Sequence, residues 1–221
     1  MSHFEMIIFD LDGTLLDTVE EVASAMNDAL LESDLPGITL DQARSWVGKG
    51  AAHFLTQVLE HHQLQHAVDF DALLNLFYHH YELRSGTLSQ LYPHVRESLE
   101  TLRKSKRKLC VVSNKFKRGT DKVLRAHRLD HLFDDVFGGD SFEQKKPDPV
   151  AVHFLMQKHG VSPEQVLFIG DSSTDVATAR NAGVEVWVVP YGYNHGEAVE
   201  KSMPDSIIDD FSVMLHRLSC A

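Results

Sequence analysis

Cysteine is almost missing from this chain: there are two in 221 residues, Cys110 and Cys220, 110 positions apart. That spacing matches no zinc-type or redox-type motif. No Asn-x-Ser/Thr acceptor occurs anywhere, which fits a reducing, unglycosylated compartment. No apolar run approaches the roughly 18 residues of a membrane span, and the opening residues Met1 to Asp10 hold no basic leader or signal-length apolar segment. The expectation is a soluble, cytoplasmic protein with no membrane partner. Basic charge is scarce too: 21 Lys and Arg stand against 32 Asp and Glu, a net charge of −11. A general nucleic-acid binder needs basic surface to meet phosphates, so that class is set aside.

With 43% apolar and 24% charged residues, the chain has the size and composition of one large packed domain, or of a core carrying an insertion. Charge divides it unevenly. Between Asp17 and Gln90 eleven acids face only Arg44, Arg84 and Lys49, and all readable pattern there is helical. Val22, Ala23, Met26, Ala29 and Leu30 recur at 3.6-residue spacing. Thr18 is placed to cap that helix, Glu20 and Glu21 suit its first turn, and Pro36-Gly37 is expected to end it. Further helices are predicted near 41–47, 51–62 and 69–84.

Elsewhere short apolar strands alternate with amphipathic helices. Strands are predicted at 6–9, 109–112, 166–169 and 186–189, with weaker ones near 136–137 and 206–208. Helices are predicted near 95–106, 118–128, 149–159, 173–182 and 195–202 and at the C-terminus. Such alternation implies a doubly wound, mostly parallel α/β sheet. The expected layout is a catalytic α/β core over 1–16 and 91–221, interrupted by a helical domain over 17–90.

In open α/β sheets, ligands bind beyond the carboxyl ends of the strands. Asp10-Leu11-Asp12-Gly13-Thr14 follows the first strand and Ser113-Asn114-Lys115 the second. Gly170-Asp171-Ser172-Ser173-Thr174-Asp175 follows the third, with Lys145-Lys146-Pro147 between. Four acids on one sheet edge repel one another unless something positive sits among them. The donors are oxygens and no Cys/His set accompanies them, so Mg²⁺ fits and Zn²⁺ does not. Asp10 and Asp12, two apart at a strand end, point the same way: one can attack phosphorus while the other handles protons. An EF-hand reading fails, because Gly13 falls at loop position four and not six.

These runs, in this order from Phe9 to Asp175, resemble the haloacid dehalogenase superfamily with its Rossmann-like core and inserted helical cap. Val112-Ser113-Asn114-Lys115, Gly138-Gly139-Asp140, Tyr191-Gly192-Tyr193-Asn194-His195-Gly196-Glu197 and the cap's Trp46-Val47-Gly48-Lys49-Gly50 resemble its phosphoglycolate phosphatase branch. The resemblance implies that Asp10 is the nucleophile and a Mg²⁺ ligand. Asp12 would be the general acid and base, its backbone carbonyl also on the metal. Asp171 would be the second carboxylate ligand, with Asp175 supporting the site from behind. Ser113, Asn114 and Lys146 would hold the phosphoryl group, with Lys115 in the same loop. The implied activity is Mg²⁺-dependent hydrolysis of a small phosphorylated metabolite, 2-phosphoglycolate first, by a monomer or homodimer. Another sugar or sugar-acid phosphate, or a phosphosugar mutase reaction, is the alternative; a non-catalytic regulator comes last.

Two departures bear on the substrate. The branch usually reads Lys-Pro-His-Pro-Asp-Pro, where this chain has Lys146-Pro147-Asp148-Pro149-Val150-Ala151. Between the cap glycines, where a small residue or Asn is common, stands Lys49. Lys49, or Arg44, is therefore the expected contact for a substrate carboxylate. His61, His62 and His66 lack an acid or cysteine to complete a metal set and read as a solvated helix face. Trp46 and Tyr78 read as packing.

Overall fold

The run Met6–Phe9 has no polar side chain and is buried throughout, as a strand covered by helices on both faces must be. In the computed structural model, which describes residues 3–220, it forms strand β1. The chain continues through β2 (Leu16–Asp17), α1 (Val19–Glu32), α2 (Leu40–Trp46), α3 (Ala51–His62), α4 (Phe70–Arg84) and β3 (Gln90–Leu91). Then come α5 (Val95–Lys104), β4 (Lys108–Val112), α6 (Lys117–Ala126), β5 (Asp135–Phe137) and α7 (Val150–His159). Last are β6 (Val166–Gly170), α8 (Ser173–Ala182), β7 (Glu185–Val188), β8 (Ser206–Ile207) and α9 (Phe211–Cys220).

Six strands form one parallel sheet in the order β5-β4-β1-β6-β7-β8. The chain winds outward from β1 through β4 to β5, then returns to lay down β6, β7 and β8 on the other side. Winding therefore reverses beside β1, where such sheets open a crevice at their carboxyl edge. Register levels that edge: Phe9 lies opposite both Val111 and Ile169, so Asp10, Ser113 and Asp171 emerge within a residue of one another. One face of the sheet packs Phe9, Leu99, Leu124, Phe211 and Met214; the other packs Ile8, Val152, Leu155, Val176 and Ala179.

Helices α1 to α4 gather a separate apolar cluster around Met26, Leu30, Phe54, Leu55 and Phe77. Where the chain leaves the sheet and where it returns, β2 and β3 pair as a two-residue antiparallel ribbon, Leu16 with Leu91 and Asp17 with Gln90. Two residues per strand are too short for any periodicity, and the sequence carried no sign of this ribbon. No helix among the described residues is long and apolar enough to cross a membrane.

Three local expectations change. The helix expected near 195–202 is one 3₁₀ turn, Val199–Ser202; left-handed backbone at His195, Gly196 and Met203 brackets it and cannot continue a helix. Helix α1 stops at Glu32, before Pro36, with Asp34 left-handed. Thr18 occupies the N-cap position but makes no side-chain cap bond. Its hydroxyl donates to Asp12 Oδ1 at 2.7 Å instead. The Tyr193 hydroxyl takes over, accepting from Thr18 N at 2.8 Å and Val19 N at 3.1 Å while donating to Asp17.

Candidate active site

Asp10 follows β1, Asp171 follows β6, and Asp175 sits in the first turn of α8. Their carboxylate oxygens lie within 4.8 Å of one another, and all three residues are buried. Each is fixed differently. Asp171 accepts from Thr14 Oγ1 at 2.9 Å and from Tyr193 N at 2.5 Å. Asp175 Oδ2 accepts from Asp171 N, Ser172 N and Ser172 Oγ, while its Oδ1 takes Lys146 Nζ at 2.7 Å. Lys146 Nζ also lies 2.9 Å from Asp10 Oδ1, an ion-pair contact without hydrogen-bond alignment.

Glycine sets how close the backbone comes. Gly13 has φ +88°, and a Cβ there would stand 2.3 Å from Asp171 Oδ2, so only glycine closes this turn.

Asp10 and Asp175 share the Lys146 ammonium, while Asp171 is held by the Tyr193 N–H and the Thr14 hydroxyl, and the surplus of acid shows in their acidity. Burial pushes the Asp10 carboxyl up to about 6, against the pull of Lys146 and with a further push from Asp175. Burial, then Asp175 and Asp10, raises Asp171 well above the usual carboxylate range. Burial also works against the Lys146 charge, but Asp10 and Asp175 outweigh it and hold the ammonium above its ordinary value. Such a site takes up protons or a cation. An all-oxygen donor set with surplus negative charge fits a hard divalent ion such as Mg²⁺.

Asp12 turns away from this trio. Its Oδ1 accepts from Thr18 Oγ1 and, at 3.0 Å, from Lys115 Nζ. Asp10 and Asp12 both line a small chamber of about 50 Å³ between the sheet edge and the helical segment. Ser113, Asn114 and Lys115 share its floor, while Val22, Val47, Phe54, Phe77, Tyr81 and Phe116 make apolar walls. Sites for drug-sized ligands run to roughly 300–1,000 Å³, so a small molecule is the natural occupant.

A model of haloacid dehalogenase-like hydrolases matches residues 7–189. The chain belongs to that family. A phosphoglycolate phosphatase of Aliivibrio fischeri is 40% identical over 98% of this chain and 97% of its own. One from Pseudomonas putida is 40% identical over 95% of this chain and 78% of its own. A solved structure, described as a predicted phosphoglycolate phosphatase from Haemophilus somnus, superposes with a TM-score of 0.94 at 35% identity, covering 98% and 99% of the two chains.

Within this haloacid dehalogenase-like chain, the residues expected at the site fall into two groups. Asp10 stands in both clusters, with Lys146, Asp171 and Asp175 on one side and with Asp12 and Ser113 on the chamber. The Asn114 side chain spends both N–H donors elsewhere, on Gly48 O at 3.1 Å and Lys146 O at 3.2 Å, and so latches the loop after α2 to the sheet edge. Lys145 Nζ adds a second latch on Lys49 O at 2.7 Å. The Lys49 side chain does not line the chamber; it faces outer clefts beside His53, Lys145 and His195. Arg44 also lies outside, paired with Asp17 at 3.4 Å and 5.3 Å from the Tyr193 ring centre. Trp46 and Tyr78 pack against the apolar cluster of α1 to α4.

Sequence reasoning gave Thr14 and Tyr193 no role of their own and read Thr18 only as a helix cap. Thr14 had a usable signal, a hydroxyl directly after the Gly13 turn. Tyr193 stood in the Tyr191–Glu197 run, but nothing along the chain marks its partners, since the backbone groups it caps lie about 175 residues away in sequence.

Proposed function

We propose that this hydrolase is a Mg²⁺-dependent phosphatase converting 2-phosphoglycolate to glycolate and phosphate, with residues 17–90 acting as its cap. The observation that carries this reading is the pair Asp10 and Asp12 in one small chamber, each against its own buried lysine. Full-length likeness to proteins named phosphoglycolate phosphatases supports the substrate.

In this reading Asp10, kept partly desolvated, attacks phosphorus. The bond from phosphorus to the ester oxygen breaks, its electron pair goes to that oxygen, and the Asp12 carboxyl supplies the proton. Asp12, now a carboxylate, takes a proton from water as the water oxygen attacks the aspartyl-phosphate, freeing phosphate and Asp10. Lys146 and Ser113 meet the phosphoryl oxygens, while Asp175 positions Lys146. We assign Asp10, Asp171 and the Asp12 carbonyl to hold Mg²⁺, which when bound supplies positive charge against the phosphoryl oxygens. The cap loop, latched by Asn114, excludes bulk water.

The test is phosphate release from 2-phosphoglycolate, hexose phosphates, a sugar-acid phosphate and AMP, with Mg²⁺ and with EDTA. The expected result is a kcat/KM for 2-phosphoglycolate roughly 100-fold above the rest, abolished by EDTA. Equal rates across the panel would overturn the substrate, and Mg²⁺-independent turnover would overturn the cofactor.

A further inference from the structure

The chamber over Asp10 and Asp12 has a single cation among its lining residues, Lys115. Its side chain is 1% exposed, with Nζ 3.0 Å from Asp12 Oδ1 and 4.3 Å from the centre of the Tyr81 ring. Lys146 is committed to Asp10 and Asp175. Lys145 donates to the cap backbone, Lys49 lies in the outer clefts and Arg44 is paired with Asp17. The rest of the wall is largely aliphatic and aromatic. A carboxylate brought into such surroundings loses its water shell at a cost that only a partner cation can offset.

We infer that Lys115, and neither Lys49 nor Arg44, recognises the carboxylate on the substrate's leaving group. This rests on the phosphatase reading above. In 2-phosphoglycolate one methylene separates the ester oxygen from the carboxylate. Asp12 must face that ester oxygen, and Lys115 Nζ is already in contact with Asp12. A carboxylate one methylene beyond the ester oxygen therefore falls within reach of the same ammonium. That ammonium has three N–H donors and can serve Asp12 and the incoming carboxylate together. The cation–π contact with Tyr81 keeps it aimed into the chamber without consuming a donor. With a second anion on Lys115, the hold on Asp12 weakens as the carboxyl is needed at the leaving oxygen. A neutral leaving group gives Lys115 nothing to bind and leaves it pressed on Asp12. Selectivity for an acidic leaving group thus comes from the core loop after β4, while the cap supplies the apolar walls that make the charge count.

The experiment compares 2-phosphoglycolate with its neutral isostere 2-phosphoglycolamide in Mg²⁺, for the wild-type protein and for Lys115→Met, Lys115→Arg and Lys49→Met. The wild-type protein should prefer the acid by roughly 100-fold or more in kcat/KM. Lys115→Met should collapse that ratio to within about threefold of unity, and Lys115→Arg should recover part of it by keeping the charge. Lys49→Met should keep the wild-type ratio. Lys115→Gln, uncharged but polar, serves in place of the methionine variant if that protein does not fold. If both esters fall by a common factor in Lys115→Met, with the ratio intact, Lys115 only braces Asp12 and the inference is overturned. Loss of the ratio in Lys49→Met overturns it in favour of the cap. A wild-type protein that hydrolyses both esters equally refutes Lys115 and leaves the phosphatase reading standing. One that hydrolyses other phosphate esters but neither of these removes the substrate and the inference together.

Discussion

Replacing Asp10 by Asn should stabilise the metal-free protein while abolishing turnover. Burial, with Asp175, pushes the native Asp10 carboxyl from the ordinary 3.8 up to about 6 against the pull of Lys146. A carboxyl whose native pKa lies above its unfolded value is favoured in the protonated form by folding, so its ionisation costs native stability. The cost is absent below about pH 4, grows through the window to pH 6 and is complete above it. About two units correspond to about 3 kcal/mol at pH 8. Asn keeps the shape of the protonated acid and leaves Lys146 its bond to Asp175. For a chain this size 1 kcal/mol moves Tm by roughly 2–4 °C, so the variant should melt roughly 6–12 °C higher at pH 8. The assay is thermal denaturation in EDTA from pH 4 to 8, read by circular dichroism. The gap between the proteins should close toward pH 4, and saturating Mg²⁺ should raise the wild-type Tm more than the variant's. An Asp10→Asn protein that melts at or below wild type at pH 8, or a gap that ignores pH, would refute the reasoning.

Other outcomes follow from the same contacts. Lys146→Met leaves Asp10 and Asp175 without their shared cation and should cost about 3–5 kcal/mol at pH 8, measured by urea denaturation, with less lost near pH 4. Gly13→Ala puts a methyl 2.3 Å from Asp171 Oδ2 on a backbone with φ +88°; it should lower stability by about 1–3 kcal/mol and displace Asp171, which phosphate-release assays would register as lost turnover. Tyr193→Phe removes the hydroxyl that caps α1 and should cost about 1–2 kcal/mol in urea; an unchanged midpoint would show that water substitutes for it.

Much of the fold and part of the candidate site were legible in the sequence, for local reasons. Met6–Phe9, Leu109–Val112 and Val166–Ile169 are short, continuous apolar runs followed at once by polar turns, which is how a buried parallel strand ends at a ligand-binding edge. Asp10, Asp12, Asp171 and Asp175 can therefore be set on one edge from the sequence alone. Side-chain direction out of a loop has no such signature. Lys49, between two glycines in an acidic segment, drew attention by composition, yet its side chain faces the outer clefts. Lys115, read only as a neighbour of Ser113 and Asn114, is the lysine that lines the chamber. Thr18 had the residue type and position of a helix cap, but Asp12 competes for its hydroxyl and Tyr193 arrives from the far end of the chain to replace it.

The sequence by itself determined the alternation of strands and helices, the acidic edge and the resemblance to the family, because hydrophobic period, turn residues and motif spacing act over a few residues. Only the tertiary structure decided which cations meet which acids and what holds the Gly48–Lys49 loop. Those pairings join residues 27 to 136 positions apart, and a contact between segments brought together by packing leaves no pattern along the chain.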